Sequence, residues 1–300
     1  MDNMVSTPPN RVVIAMHPKL DKAPQIAEKM AAFIRQQDVE TEVLSLNDAS
    51  LRENIEGGNY ELLIALGGDG TMLRAGHLCA PSKLPVLGIN LGGLGFLIDV
   101  GPDDWQPALA RVMSGDYWLE DRMMLRADHY QDGNVVDSWE VINECVIGRG
   151  KMVRPVQLTT EIDNHFLTTY VADALIVSTP TGSTAYAFAA GGPILPPELR
   201  NILIVPVAPH LSVDRGIVLH EGSQVWITIR TDHDASISID GQDPVQIRDK
   251  DRVHIRASEH VVTFMRVQDP DYFYRNLTSR MNNNFAHAVG LNRRTGLWFR

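Results

Sequence analysis

Cysteine is nearly missing from this 300-residue chain: only Cys79 and Cys145 occur, and neither sits in a CxxC pair. Two thiols cannot build a disulfide framework, so a reduced, cytoplasmic compartment is expected. Long apolar runs are missing too. The longest, residues 61–66 and 202–208, have core-strand length, far short of the ~20 residues that span a bilayer. Residues 1–10 are polar and carry Pro8 and Pro9, without the basic start and apolar stretch of a signal peptide. Positive charge is in deficit: 27 Lys and Arg against 37 Asp and Glu give a formal charge of −10. This argues against a binder of nucleic acid or of an anionic membrane, either of which needs a basic face. Anionic small molecules stay open, because they need only a local positive site. Several motifs are also absent. No GxGxxG follows a predicted strand, and the only Gly-Lys pair, Gly150-Lys151, precedes Met152, so there is no GxxxxGK[ST]. These absences disfavour a dehydrogenase of the dinucleotide-fingerprint type and a P-loop NTPase. Without HExxH, a Cys–His pair at zinc spacing or a GxSxG elbow, metal-site and serine-triad readings are weak.

What is present is an ordinary globular balance, able to build a core. The first hundred residues alternate strand-like and helix-like segments. Residues 11–16 predict a strand, 21–37 a helix with apolar positions at Ile26, Ala27, Met30, Phe33 and Ile34, and 42–46 a second strand. A short helix over 51–55, a strand over 62–66, a helix over 71–79 and a strand over 85–89 follow. Such alternation implies a parallel sheet flanked by helices. A helix over 105–113 leads to a boundary near residue 115. Beyond it the chain is β-rich with short connections. Strands 119–131 and 135–147 flank Asp132-Gly133, and 156–162 and 166–172 flank Asp163-Asn164. Further strands are expected over 202–207, 225–230, 236–240, 252–257 and 261–267, then a helix near 272–281. The domain reading is an α/β domain over 1–115 and a β-rich domain over 116–300, whose final helix and tail return toward the first.

Four segments carry candidate chemistry. Gly67-Gly68-Asp69-Gly70-Thr71 lies between a strand and a helix. Glycines let backbone approach a ligand, and a helix start offers N–H groups to an anion. A carboxylate in such a turn repels phosphate unless it takes a hydroxyl proton or holds a metal; the bland alternative is a helix N-cap. Gly92, Gly93 and Gly95 form a second tight turn before Phe96, either for close ligand approach or simply to seat Phe96 in the core. Asn143-Glu144 can read a base edge and a ribose diol together, or be a polar strand end facing water. In Ser178-Thr179-Pro180-Thr181-Gly182-Ser183-Thr184-Ala185-Tyr186, hydroxyls can serve a polyoxygenated ligand and Tyr186 an aromatic base. The alternative is a Ser/Thr-rich loop with a helix cap. His210 follows a strand and could face a ligand or water.

Taken together, the blocks GGDGT at 67–71, PVLGINLGGLGFL at 85–97, INE at 142–144, LIVSTPTGSTAY at 175–186, AAGGPIL at 189–195 and IDGQ at 239–242 resemble the NAD kinase family, over residues 11 to 280. GGDG alone is shared with lipid kinases; the longer blocks are more specific. The resemblance implies an N-terminal α/β domain, a β-rich C-terminal domain and an active site between them. It implies transfer of the γ-phosphoryl of ATP, or of polyphosphate, to the adenosine-ribose 2′-OH of NAD, giving NADP. It implies Mg²⁺ or another divalent metal, bound mainly through substrate phosphates, and a homodimer or homotetramer. By resemblance Asp69 is the general base, and Gly67, Gly68, Gly70 and Thr71 cradle phosphates. The dinucleotide site is assigned to Asp69, Gly70, Arg74, Phe96, Asn143, Glu144, Arg154, Asp173, Thr181, Thr184, Ala185, Tyr186, Ala189, Ala208 and Gln242.

Departures from the family pattern are Ala174 where glycine is usual, Asp214-Arg215-Gly216 in place of an Arg-Pro, and an unclear ending at Ser279-Arg280-Met281. Two other functions are weighed against the kinase. A lipid or diacylglycerol-type kinase would share GGDG but lack the Asn-Glu pair and the TPTGSTAY block. A non-catalytic NAD(P)(H) sensor would have no need of Asp69 beside phosphate.

Overall fold

The computed structural model describes residues 7–17, 23–92, 95–210, 213–275 and 277. Gly93, the expected helix start at Asp21 and Lys22, and the ending at 279–281 lie outside the described residues. These described residues divide into two compact units, one drawn from those up to 120 and from 263 onward, the other from those between 121 and 262.

The first unit holds parallel strands β1 (Arg11–Met16), β2 (Glu40–Ser45), β3 (Leu62–Gly67) and β4 (Val86–Asn90) in the order β2-β1-β3-β4. Helices α1 (Ala23–Arg35), α2 (Ala49–Glu56), α3 (Asp69–Cys79) and α4 (Trp105–Met113) alternate with them. Every residue of β3 and β4 is buried, which explains their continuous apolar runs rather than alternation. The buried stripe of α1, Ala27, Met30, Ala31 and Ile34, recurs at helical spacing. The Asp48 side chain caps α2 by accepting the Ser50 N–H at 3.0 Å. The connections of β1 and β3 leave toward opposite edges of the sheet. Ligands of open α/β sheets bind at the carboxyl ends of strands at such a switch point, and the glycine turn 67–70 leaves the carboxyl end of β3.

The second unit is an antiparallel sandwich. β7 (Glu144–Arg149), β10 (Ala174–Ser178), β11 (Asn201–Val207), β12 (Ile217–His220), β14 (Ala235–Ile239) and β15 (Val245–Ile247) form one sheet in the order β12-β11-β10-β7-β14-β15. Against it lie β5 (Trp118–Gln131), β6 (Asn134–Val141), β8 (Val156–Ile162), β9 (His165–Ala172), β13 (Val225–Arg230) and β16 (Arg252–Arg266). Leu125, Val141, Ile147, Leu158, Tyr170, Val177 and Ile227 from both sheets fill one core. Asp132 and Gly133 have φ of 49° and 83°, and Asp163 and Asn164 have 52° and 65°. These are the left-handed pairs that two-residue hairpin turns require.

Three strand expectations change. The single strand over 135–147 is two strands, broken where the chain passes from one sheet to the other at Ile142–Asn143. The strands over 252–257 and 261–267 are one strand, β16, whose 15 residues run through the polar stretch 256–260 without a turn. Strands β12 and β15 were not foreseen: β12 is half exposed, and β15 has three residues, so neither shows a periodic apolar signal.

Candidate active site

Helix α3 begins two residues earlier than its apolar pattern suggests, with Gly68 at the cap position and Asp69 in the first turn. No side chain caps the helix, so the carboxylate of Asp69 does not act as its N-cap. It turns to the loop after β4, where Oδ2 accepts the Phe96 N–H at 2.7 Å and Oδ1 the Leu97 N–H at 3.1 Å. Gly95 makes this approach possible: a Cβ there would stand 2.1 Å from Asp69 Oδ2. Leu97 is fixed in turn, since its carbonyl accepts Arg266 Nη1 at 2.8 Å. Arg266, at the end of β16, is 5% exposed and ion-paired to Asp99 and Glu120. Burial works against its charge, but the two carboxylates outweigh it and hold its pKa above the ordinary value.

The phosphate-turn residues fall into two pairs. Gly68 and Gly70 are exposed, and a Cβ on either would meet nothing within 4 Å. Gly67 and buried Thr71 are packed together: a Cβ on Gly67 would lie 2.1 Å from Thr71 Oγ1. Thr71 and Met72 N–H groups return to Gly68 O at 2.9 and 3.1 Å. Earlier donors of this turn have no acceptor within the helix and suit an anion. Arg74 is exposed one turn on, and Phe96 is half-buried.

In the second unit, Asn143 and Glu144 open β7, and Glu144 is only 6% exposed. They are not a solvent-facing polar pair. The Tyr186 N–H donates to Glu144, while Glu144 Oε2 and Asn143 Oδ1 are buried without a partner. Burial, then the charge of Asp240, pushes the Glu144 carboxyl up to about 8 against the pull of that N–H. Buried acceptors without donors are costly, so this is where a ligand's donors fit.

The hydroxyls of the 178–184 block turn inward. Thr179 Oγ1 donates to Ile142 O at 2.6 Å and accepts the Gly182 N–H at 3.1 Å. Ser178 Oγ donates to Asn143 O at 3.0 Å, Ser183 Oγ to Pro180 O at 2.7 Å and Thr184 Oγ1 to Thr181 O at 3.2 Å. Thr181 Oγ1 accepts from Arg122 at 3.2 Å. Gly182 presses so closely on the break that a Cβ would lie 2.2 Å from Asn143 O. These hydroxyls are engaged within the chain, and those of Ser178 and Thr179 brace the backbone at Ile142 and Asn143.

The remaining positions sort by the two ends of β10. At the Ser178 end stand Asn143, Glu144, Thr181, Thr184, half-buried Ala185, exposed Tyr186 and Ala189, and exposed Gln242 on the turn after β14. At the Ala174 end stand Asp173, ion-paired with Arg149 at 3.3 Å, and exposed Ala208, held at a left-handed φ of 47°. Five β residues separate these ends by about 13 Å, the scale of an extended two-part ligand. Arg154 is exposed in the connection between β7 and β8. His210, also exposed, donates its N–H to Val171 O at 2.7 Å. Ala174 faces Gly148 across the ladder, where a Cβ on Gly148 would stand 2.7 Å from the Ala174 Cβ. Residues the sequence reading did not assign are Gly95, Asp240, Gly182 and Arg266. Gly95, Gly182 and Asp240 lay inside quoted motif blocks; nothing local marks Arg266.

An open glycine turn at a helix start, beside a carboxylate fixed by backbone donors, in a chain of one α/β unit and one β-rich unit, defines a phosphotransferase acting on a hydroxyl group. Comparison with known proteins makes this specific. The ATP-NAD kinase N-terminal domain matches residues 11–117, and the ATP-NAD kinase C-terminal domain matches 142–267. An NAD kinase of Chloroflexus aurantiacus is 36% identical over 274 residues, covering 91% of this chain and 99% of that protein. One from Geobacter metallireducens is 40% identical over 214 residues, 71% and 76% of the two chains. The crystal structure of yeast NADH kinase complexed with NADH superposes with a TM-score of 0.77 at 25% identity, covering 98% of this chain and 91% of that one. An NAD kinase from Archaeoglobus fulgidus in complex with ATP shares the fold, with a TM-score of 0.72 at 23% identity over 91% and 99% of the chains. The chain belongs to the NAD kinase family.

Proposed function

We propose that the protein transfers the γ-phosphoryl of ATP to the adenosine-ribose 2′-hydroxyl of NAD, releasing NADP and ADP, with Asp69 as general base. The observation that carries this is the placement of Asp69: a half-buried carboxylate held by two backbone N–H groups, beside the open backbone of Gly68 and Gly70. Each carboxylate oxygen has a second lone pair, so one can take the 2′-OH proton as the new O–P bond forms. The bond from the γ-phosphorus to the bridging oxygen then breaks, and ADP leaves with its electron pair. Phosphoryl transfer needs position and charge stabilisation more than covalent chemistry from the protein, which suits a fixed carboxylate and an anion-accepting helix start.

Asn143, Glu144, Thr181, Thr184, Ala185, Tyr186, Ala189 and Gln242 serve one half of the dinucleotide, and Asp173 and Ala208 the other. Gly70, Arg74, Phe96 and Arg154 complete the set, and Gly67 and Thr71 shape the phosphate turn. Among the described residues no group of three or more His, Cys, Asp or Glu could hold a metal ion. The divalent ion of this reading would be held mainly through the phosphates of the donor, whose charge it would neutralise. Polyphosphate is the second donor to try. No helix among the described residues is long and apolar enough to cross a membrane. Cytoplasmic residence with two reduced, buried thiols, and assembly as a homo-oligomer, complete the reading.

The test is direct. Purified protein, NAD or NADH, ATP or polyphosphate and Mg²⁺ are mixed, and NADP(H) is read enzymatically. NADP formation dependent on donor is the expected result. NAD binding without turnover points to the sensor, and phosphate incorporation into lipid but not NAD to the lipid kinase.

A further inference from the structure

The break that presents Asn143 and Glu144 is organised by a residue outside it. Asp240 follows β14 in left-handed backbone, φ 48°. Its Oδ2 accepts the Ile142 N–H at 2.9 Å, and its Oδ1 accepts those of Asn143 at 2.7 Å and Glu144 at 2.9 Å. Its own N–H returns to Glu144 O at 3.0 Å. One carboxylate thus takes three successive backbone donors at the point where the chain changes sheets. The same geometry leaves Asn143 Oδ1 and Glu144 Oε2 buried without partners. We propose that Asp240 is a positioning residue of the dinucleotide site, fixing the backbone that presents these two oxygens and making dinucleotide binding proton-linked through Glu144. The proposal rests on the dinucleotide reading given above.

The surroundings of Glu144 set the sign. Asp240 faces it from the end of β14, and Cys145 adjoins it on β7. From β10 comes Ser178, and from 181–186 come hydroxyls and the Tyr186 N–H; Arg122 is engaged at Thr181 Oγ1, 3.2 Å away. Burial and the Asp240 charge hold the carboxyl near 8 in the free protein, so at neutral pH it is protonated. Donors brought by a ligand to an acceptor favour the ionised form. Binding therefore releases a proton, and affinity rises with pH up to about that value. Asp240 accordingly acts twice: it holds Glu144 in place, and its charge delays ionisation until the ligand's donors arrive.

The experiment uses the full chain and the Asp240→Asn and Glu144→Gln variants. Wild type is expected to show a KM for NAD that falls from about pH 6 to about pH 8, and proton release at neutral pH in calorimetry with buffers of different ionisation enthalpy. Asp240→Asn is expected to raise the KM for NAD about tenfold, with kcat and the KM for ATP within about twofold. Its fall in KM moves to lower pH, because one of the two groups holding the carboxyl neutral is gone. Glu144→Gln, uncharged at every pH, abolishes both the fall and the proton release. An unmoved pH profile in Asp240→Asn, or equal losses in kcat and both KM values, overturns the assignment. If Asp240→Asn does not fold, proton release that persists in Glu144→Gln overturns it instead. A wild type that makes NADP with a pH-independent KM removes the assignment and keeps the kinase reading. A wild type that binds NAD with proton release but makes no NADP does the reverse.

Discussion

Both units contain an aspartate whose carboxylate accepts successive backbone N–H groups, Asp69 in the first and Asp240 in the second. Their hydrogen-bond patterns are alike, and their neighbourhoods are not. Asp69 reaches across to a loop that must have glycine at 95, and beside it lie two glycines with nothing over them. Asp240 sits behind the residues it organises, and the unpaired atoms belong to Asn143 and Glu144. A clamped carboxylate is thus equally suited to be a base or a brace. What distinguishes them is whether open space lies beside the carboxylate itself or beside the residues it holds.

The sharpest way to break this comparison is at Asp69. Asp69→Asn keeps the shape and removes the base, and general-base help is typically worth ~10²–10⁴-fold. It is expected to lower kcat at least about a hundredfold while the melting temperature barely moves. A near-normal rate would make Asp69 a brace like Asp240. Gly95→Ala comes next. Its Cβ would overlap the Asp69 carboxylate, so the carboxylate must swing away and kcat is expected to drop at least about tenfold. The loss is expected mainly in kcat rather than in the KM for NAD; a loss confined to KM would mean that the Asp69 carboxylate keeps its place when Gly95 is changed.

In the second unit, Thr179→Val removes a buried hydroxyl that both donates to Ile142 O and accepts from Gly182. Leaving those groups unpaired costs about 1–3 kcal/mol, measurable as a lower urea midpoint, with a raised KM for NAD and unchanged kcat. Should kcat fall as well, the division of labour between the units is not as drawn. The smallest effect concerns pH and stability. The folded-state pKa of Glu144 is raised from 4.5 to about 8. Between those values the unfolded chain has given up a proton that the folded chain retains, and stability declines as pH rises. Glu144→Gln removes this slope, so its melting temperature is expected to exceed wild type by an amount that grows from about pH 5 to about pH 8.

How much of this was legible in the sequence depended on distance along the chain. Strands β1, β3 and β4 of the first unit announce themselves because their runs are buried and unbroken. The hairpins at 132–133 and 163–164 announce themselves because left-handed backbone selects Asp, Asn and Gly. The glycine turn was legible because GGDG lies directly between an unbroken strand run and a helix pattern. Arg266 was not: it meets Leu97 and Asp99 from 169 and 167 residues away, on a strand whose pattern gives no hint of a buried cation. The role of Asp240 was equally hidden, since 96 to 98 residues separate it from the N–H groups it holds. In the Ser/Thr-rich block the sequence shows how many hydroxyls the loop has and not which way they turn: those of Ser178 and Thr179 brace the break at 142–143.

Ala174 puts a methyl at the first position of β10. Across the ladder it stands opposite Gly148, with its Cβ in the room a side chain there would need. Gly148 is excluded from carrying a side chain twice over, by that methyl and by the Asp173 carbonyl, each 2.7 Å from where its Cβ would stand. Ala174→Gly opens a void of one methyl, but Gly148→Ala forces an overlap with the Asp173 carbonyl, 2.7 Å from the new Cβ, that trimming Ala174 does not relieve. Trimming Ala174 thus makes room that Gly148 cannot use, and the backbone of one strand dictates a bare position on its neighbour.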